Sequence, residues 1–115
     1  MRRARDRSRL ASAALLFAAL GDSTRLTLLK RLNERGPASI STLAAGFPDM
    51  TRQGVTKHLT VLADAGVISG NRHGRERVWT VDTKRLADGR QYLEVVERGW
   101  TDALSRLKMF VEENP

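Results

Sequence analysis

The sequence has no cysteine and few aromatic residues. None of its 115 residues is cysteine, which excludes disulfides, thiolate metal sites, thiol redox switches and cysteine nucleophiles. Aromatic residues make up 5% of the chain, and this scarcity disfavours a β-sandwich or a β-barrel. The length and composition therefore predict one small domain with an aliphatic core.

Long apolar segments are also missing. No run approaches the roughly 18 residues that a membrane span needs. Residues 1–9 are rich in arginine and precede the apolar residues 10–20, which is the outline of a secretory signal, but Asp6 and the break at Gly21 argue against one. We expect a cytoplasmic protein with no membrane partner. Its residues 1–9 form a basic N-terminal tail, either a mobile arm or an extra turn of the first helix, before a domain over residues 10–115.

The charge of the chain is strongly positive. Its formal charge is +7, from 20 lysines and arginines against 13 acidic residues. This excess favours a polyanionic partner, most simply nucleic acid, although a basic surface can also serve solubility alone. The sequence has no nucleophile beside a plausible base, no phosphate-binding glycine loop and no metal cluster. It therefore predicts a protein that is not an enzyme and needs no cofactor or metal.

Apolar periodicity and capping residues predict a mainly α-helical fold with one small β-hairpin. Four N-caps are expected, at Asp22, at Ser39 or Ser41, at Thr51 and at Thr83. Residues 67–68 and 78–81 read as two strands around a turn at His73 and Gly74. The residues expected on apolar faces are Leu10, Ala14, Phe17 and Ala18 in the first helix, Leu26, Leu29 and Leu32 in the second, Ile40, Leu43 and Ala44 in the third, and Val55, Leu59, Leu62 and Ala63 in the fourth.

The middle of the chain has the pattern of a helix-turn-helix over residues 39–65, followed by the hairpin as a wing. An exposed helix fits the DNA major groove, where arginine reads guanine and glutamine reads adenine. The predicted DNA-binding residues on the fourth helix are Thr51, Arg52, Gln53, Thr56 and Lys57, and those on the hairpin are Arg72, His73, Arg75 and Arg77. The alternatives are an ordinary solvated polar face and, for His73, a solvated turn residue.

An apolar repeat in steps of three and four runs along the last predicted helix, residues 83–113. A helix of that length extends about 45 Å, more than this domain needs for its own core, so the repeat favours a dimer seam over a helix that lies on its own domain. The apolar first helix would supply the rest of the surface. The predicted interface consists of Leu10, Ala14, Phe17, Leu86, Leu93, Val96, Trp100, Ala103, Leu107 and Phe110. Trp100 could alternatively line a pocket for a small-molecule effector.

Three ordered segments carry a family resemblance. Residues 16–26 (LFAALGDSTRL), residues 51–59 (TRQGVTKHL) with Leu62 and residues 65–68 (AGVI), and residues 74–79 (GRERVW) resemble the first helices, recognition helix and wing of ArsR-type winged helix-turn-helix repressors. The resemblance implies a homodimer that joins through its first and last helices and binds double-stranded DNA.

Two departures from the family pattern bear on sensing. Ser23 stands where many members have proline, which is harmless at a first helical position. Metal-sensing members carry cysteines on the third helix or Asp and His ligands on the last, and this chain has neither set, so the resemblance is to the branch that does not sense metals. The resulting hypothesis is a sequence-specific regulator, a repressor that binds an inverted-repeat operator. A sequence-independent nucleic-acid binder and a module that no longer binds DNA are the alternatives.

Overall fold

Helices and short strands follow one another in the order that the sequence predicts, with one additional strand. The computed structural model describes residues 2–113. Its elements are α1 (Arg2–Leu20), α2 (Ser23–Arg35), β1 (Ala38–Ser39), α3 (Ile40–Ala44), α4 (Arg52–Asp64), β2 (Ile68–His73), β3 (Glu76–Val81) and α5 (Thr83–Glu113). The strands form an antiparallel sheet in the order β1-β3-β2. The predicted fold class, mainly helical with a small hairpin and a winged helix-turn-helix, is confirmed.

Helix α1 begins within the arginine-rich segment. It runs without a break from Arg2 to Leu20, so the described part of residues 1–9 is an extension of the helix rather than a separate arm. Met1, which belongs to the predicted tail, and residues 114 and 115, which belong to the predicted domain, lie outside the described residues. The functional division of the chain at residue 9 stays a prediction.

Three predicted N-caps are present. The side chains of Asp22, Ser39 and Thr51 accept hydrogen bonds from backbone N–H groups three residues later, at 3.0, 3.3 and 3.0 Å, and so pair donors that the first turns of α2, α3 and α4 leave free. The prediction for the last helix was wrong by one residue. The Asp82 carboxylate, rather than Thr83, accepts from the N–H groups of Lys84 and Arg85.

The core is aliphatic, as the composition predicts. It is formed by Leu16, Ala19, Leu28, Leu29, Leu32, Ala38, Leu43, Val55, Leu59, Leu62, Ala65, Val67, Ile68 and Trp79. The inward position predicted for Leu26 is wrong, because Leu26 is 49% exposed and Leu28 is fully buried. At 3.6 residues per turn these two side chains point about 200° apart, so α2 can bury only one of them with Leu29 and Leu32.

The hairpin strands are longer than the sequence predicts. β2 continues past Ile68 to His73, because each residue from 69 to 73 pairs with a residue of β3. The short strand β1, which the sequence did not predict, pairs Ala38 with Trp79. Two residues after a Gly-Pro pair carry no periodicity, so only the pairing with β3 identifies this strand.

Helix α5 packs into its own domain near its start. Gly89 is its one buried residue among those described, and it lies against Leu16 of α1. The α1 residues that face the core are Ala13, Leu16 and Ala19. Leu10, Ala14 and Ala18, on the stripe predicted from the sequence, are exposed. Both long helices therefore leave apolar residues outside the core.

Candidate nucleic-acid interface

One face of α4 is anchored in the core and the opposite face is open. Val55, Leu59 and Leu62 have no exposed surface, and they are spaced so that they share one side of the helix. All five residues predicted to meet DNA on this helix are exposed: Thr51, Arg52, Gln53, Thr56 and Lys57. The packing of α4 thus presents its amino-terminal turn and its polar side to solvent.

Two of the exposed side chains are held by neighbours. Arg52 Nη2 donates to Ser41 Oγ at 2.6 Å, which ties the first residue of α4 to α3. The Thr56 hydroxyl donates to the Arg52 carbonyl oxygen at 2.9 Å. The Thr51 hydroxyl oxygen accepts from the Gly54 N–H, so the hydrogen of that hydroxyl remains available as a donor.

The hairpin carries its arginines on one face. Arg72 on β2 lies directly opposite Arg77 on β3. Two residues further from the turn, Gly70 on β2 lies opposite Trp79 on β3. Because residues two apart share a face of a strand, all four lie on the same side of the hairpin. Like charges placed opposite each other repel, so the Arg72–Arg77 pair favours the approach of an anion.

Arg77 is stacked rather than extended into solvent. Its guanidinium carbon lies 4.7 Å from the centre of the Trp79 ring, a cation–π distance. Gly70 leaves the space for this stack, since a Cβ there would lie 2.6 Å from Arg77 Nε and 2.9 Å from Trp79 Cζ3. Trp79 itself is 2% exposed and packs in the core at the base of the wing.

The remaining wing residues lie apart from this pair. Arg75 follows Gly74, whose φ of 66° suits the first position of a two-residue type II′ turn. His73 is paired with Glu76 on the face opposite the two arginines. All four predicted wing residues are exposed, but the structure brings only Arg72 and Arg77 together.

A polar junction fastens α4 to the helices before it. Arg25 donates from Nε to the Ala19 carbonyl at 2.6 Å, and its Nη1 lies 3.3 Å from His58 Nδ1 on α4. Asp22 Oδ2 lies 3.8 Å from the same His58 nitrogen. The hydrogen bond from the Arg25 backbone N–H lowers the pKa of the Asp22 carboxyl, with smaller contributions from the charges of Arg25 and His58. His58 is thus a half-buried structural residue of the recognition helix.

The predicted dimer residues form a largely exposed apolar surface. Leu93 is 56% exposed and Trp100 is 67% exposed, and Val96, Leu107 and Phe110 are exposed with them. Leu10 and Ala14 are exposed on α1, and Ala103 is half-buried. Phe17 packs against the Tyr92 ring, with 5.9 Å between the ring centroids, and Leu86 packs against the core. Both side chains therefore already have a contact within their own chain.

Several residues of the site were missed by reasoning from the sequence. The sequence predicts Ser41 only as a possible helix cap, and Gly70 lies outside the two predicted strands. Arg25 and Arg85 had no signal, because Arg25 meets His58 33 positions later in the chain and Arg85 meets Ser12 73 positions earlier. Only Gly70 had an indicator, since a glycine inside a strand often marks a close approach of another group.

The described residues form neither a metal-binding cluster nor a membrane-spanning helix. Within residues 2–113 no three histidine, aspartate or glutamate side chains are grouped so that they could hold a metal ion. None of the described helices is long and apolar enough to cross a membrane.

Comparisons with known proteins identify the fold and the type of protein. Residues 20–70 match the family model described as a helix-turn-helix domain. The chain is 38% identical over 76 residues to the HTH-type transcriptional regulator YuzN of Bacillus subtilis (strain 168), an alignment that covers 62% of this chain and 83% of that protein.

Solved structures give the same result. An ArsR-like transcriptional regulator from Rhodococcus sp. RHA1 superposes with a TM-score of 0.77 at 33% identity, over 88% of this chain and 93% of that one. A homodimeric winged helix-turn-helix DNA-binding domain from Mycobacterium bovis shares the fold, with a TM-score of 0.66 at 19% identity, over 81% of this chain and 85% of that one.

Proposed function

Because this chain belongs to the ArsR-like family of winged helix-turn-helix transcriptional regulators, and is therefore not an enzyme, we propose that it binds an inverted-repeat operator as a homodimer and represses transcription there. The observation that carries the proposal is the open amino-terminal half of α4 with the Arg72–Arg77 pair on the wing behind it. Between residues 51 and 81 the chain has five lysines and arginines against two carboxylates, which suits a phosphate backbone.

The first turn of α4 is the proposed reader of sequence. Arg52 keeps further N–H donors besides the one it gives to Ser41, so it can donate to the two acceptors of a guanine edge. Gln53, which is exposed beside it, can pair with adenine. We assign different roles to the two threonines. Thr51 has a hydroxyl hydrogen that it can donate to a phosphate. The Thr56 hydroxyl already donates to the Arg52 carbonyl, so Thr56 offers mainly its methyl group to a thymine.

The wing and Lys57 are the proposed backbone contacts. Arg72 and Arg77 converge on one side of the hairpin and Arg75 stands at its tip, so each of them can meet a phosphate of the DNA backbone. His73 faces away from this pair, and its pairing with Glu76 makes it the weakest member of the predicted set. These contacts orient the protein on the duplex and carry no sequence information themselves.

We propose the exposed stripe of α5, together with Leu10 and Ala14 of α1, as the dimer interface. The apolar residues of α5 recur at coiled-coil spacing over three heptads, and most of them are exposed. The Mycobacterium bovis domain of the same fold is homodimeric. A small-molecule effector and a cytoplasmic location stay predictions.

A selection from random duplex DNA tests the proposed reading of sequence. The wild-type protein should enrich two inverted half-sites whose centres lie about 10 base pairs apart, or a multiple of that. On the selected operator, Arg52→Ala should cost about 1–3 kcal/mol and relax the preference at one position in each half-site. Equal affinity of the wild type for operator and scrambled DNA would contradict the proposal and would favour the sequence-independent binder.

A matched variant separates reading from backbone binding. Arg75→Ala should weaken operator and scrambled DNA alike, because it removes a phosphate contact. If Lys57, Arg72, Arg75 and Arg77 each meet one phosphate, a dimer makes eight contacts and its log–log salt slope is about −7. Arg75→Ala should make the slope shallower by about 2 per dimer, whereas loss of a base contact should alter specificity instead.

A further inference from the structure

Arg85 connects three helices of the domain. It lies in the first turn of α5, and its side chain is only 15% exposed. Its Nε donates to the Ala65 carbonyl at 2.8 Å, and its Nη2 donates to the Ser12 carbonyl at 2.7 Å. Ala65 is the C-cap of the recognition helix α4, and Ser12 lies in the middle of α1. One guanidinium therefore bridges α4, α1 and α5.

The chemistry of this bridge requires arginine. The planar guanidinium presents donors in different directions, so it can reach two backbone carbonyls at once, which the single ammonium of lysine does less well. Its positive charge is favourable at the carboxyl end of α4, where the helix dipole places partial negative charge. The stem of Arg85 lies beside Gly66, where a Cβ would be 3.6 Å from it. Asp88 Oδ2, at 3.6 Å from Nη1, is the nearby carboxylate.

We infer that Arg85 is a positioning residue that sets the distance between the two recognition helices of the dimer, and thereby the half-site spacing that the protein accepts. The inference rests on the proposed function, in which α1 and α5 form the dimer interface. Through Arg85 the carboxyl end of α4 is bonded directly to α1 and α5. Its place relative to the dimer axis is then determined within each protomer.

Because α4 is long, a small tilt at its carboxyl end, beside Arg85, produces a large displacement of its amino-terminal turn at the DNA. Arg52–Asp64 is 13 residues, which at 1.5 Å per residue is about 20 Å. A tilt of about 5° around the carboxyl end moves the amino-terminal reading turn by nearly 2 Å, about half of the 3.4 Å between base pairs along a strand. Loosening the bridge should therefore widen the range of tolerated spacings and leave the base contacts themselves intact.

The test uses the full-length dimer on operators whose half-sites are separated by the selected spacer or by one base pair more or fewer. For wild type we expect a loss of about tenfold for each step, comparable to one mismatched base pair. For Arg85→Gln the loss should fall to about threefold or less, and Arg85→Lys, which keeps the charge, should lie between the two. Affinity for a duplex with one half-site should not change.

Lys84→Gln is the matched control. It makes the same change of charge one residue earlier, on an exposed side chain, and it should keep the wild-type spacer profile. Sedimentation and thermal unfolding establish that each variant is folded and dimeric. If Arg85→Gln does not fold, the spacer profile of Arg85→Lys is compared with wild type instead.

Two outcomes would overturn the inference, and they are distinguishable. Folded, dimeric Arg85 variants that lose affinity equally at every spacer, or not at all, would show that Arg85 has only a structural role. A wild-type protein without any spacer preference would refute the proposed inverted-repeat dimer, and the positioning role of Arg85 with it.

Discussion

Two glycines of α5 should respond in opposite directions to the same substitution. A Cβ on Gly89 would lie 2.7 Å from Leu16 Cδ2, whereas a Cβ on Gly99 would have no atom of the described chain within 4 Å. In both places alanine removes the roughly 1 kcal/mol that glycine costs inside a helix. The two variants therefore share the propensity gain and differ in packing.

The packing cost at Gly89 can be worked from its surroundings. An ordinary contact between carbon atoms is about 3.5–4.0 Å, so either Leu16 or the whole of α5 must move by about 1 Å. Leu16 is 1% exposed and belongs to the core, where side chains are close-packed and a shift of that size has a cost. Overpacking of this kind costs about 1–3 kcal/mol, which exceeds or cancels the gain in helix propensity.

We expect Gly99→Ala to raise the free energy of unfolding by up to about 1 kcal/mol, and Gly89→Ala to lower it by up to about 2 kcal/mol. The two variants should differ by about 1–3 kcal/mol in their free energy of unfolding, and this difference is the packing cost where α5 crosses α1 at Gly89. Urea unfolding at one fixed protein concentration measures it, because a dimer's stability depends on concentration. Equal stabilisation by both substitutions would refute the tight crossing of α1 and α5.

Three further predictions concern assembly, sensing and acid stability. Leu93→Glu with Trp100→Glu should give a monomer or an unfolded chain in sedimentation, whereas Thr101→Glu should leave twice the chain mass; a wild-type monomer at high concentration would contradict the dimer. Zinc, cadmium and arsenite at stoichiometric concentration should not release DNA, and calorimetry that couples tight metal binding to lost DNA affinity would contradict this. The lowered pKa of Asp22 means that its carboxylate stabilises the fold above the unfolded-state pKa, about 3.9, and that this contribution is lost as the pH falls through the folded-state pKa. Asn at position 22 also caps α2 but does not titrate, so the difference in urea midpoint between wild type and Asp22→Asn should shrink below about pH 4. A difference that stays constant with pH would contradict a stabilising role for the ionised Asp22 carboxylate.

The sequence alone determined the five helices, the hairpin and the open face of the recognition helix. Asp22, Ser39 and Thr51 cap helices by bonding to N–H groups three residues away, and Val55, Leu59 and Leu62 share a face at helical spacing. Such signals act over one or two turns, so the local order of residues contains them completely. The nine proposed DNA-binding residues follow from the same reasoning, and they remain predictions about contacts.

Only the tertiary structure decided which groups meet across the chain. Leu28 rather than Leu26 faces the core, β1 joins the sheet through Trp79, and Gly70 makes room for Arg77 on that ring. Arg85 reaches Ala65 and Ser12, 20 and 73 positions away. No pattern within a window of the sequence contains these pairings. They depend on how the helices rotate and cross when they bury a common core, and that choice is a property of the packed domain rather than of any one segment.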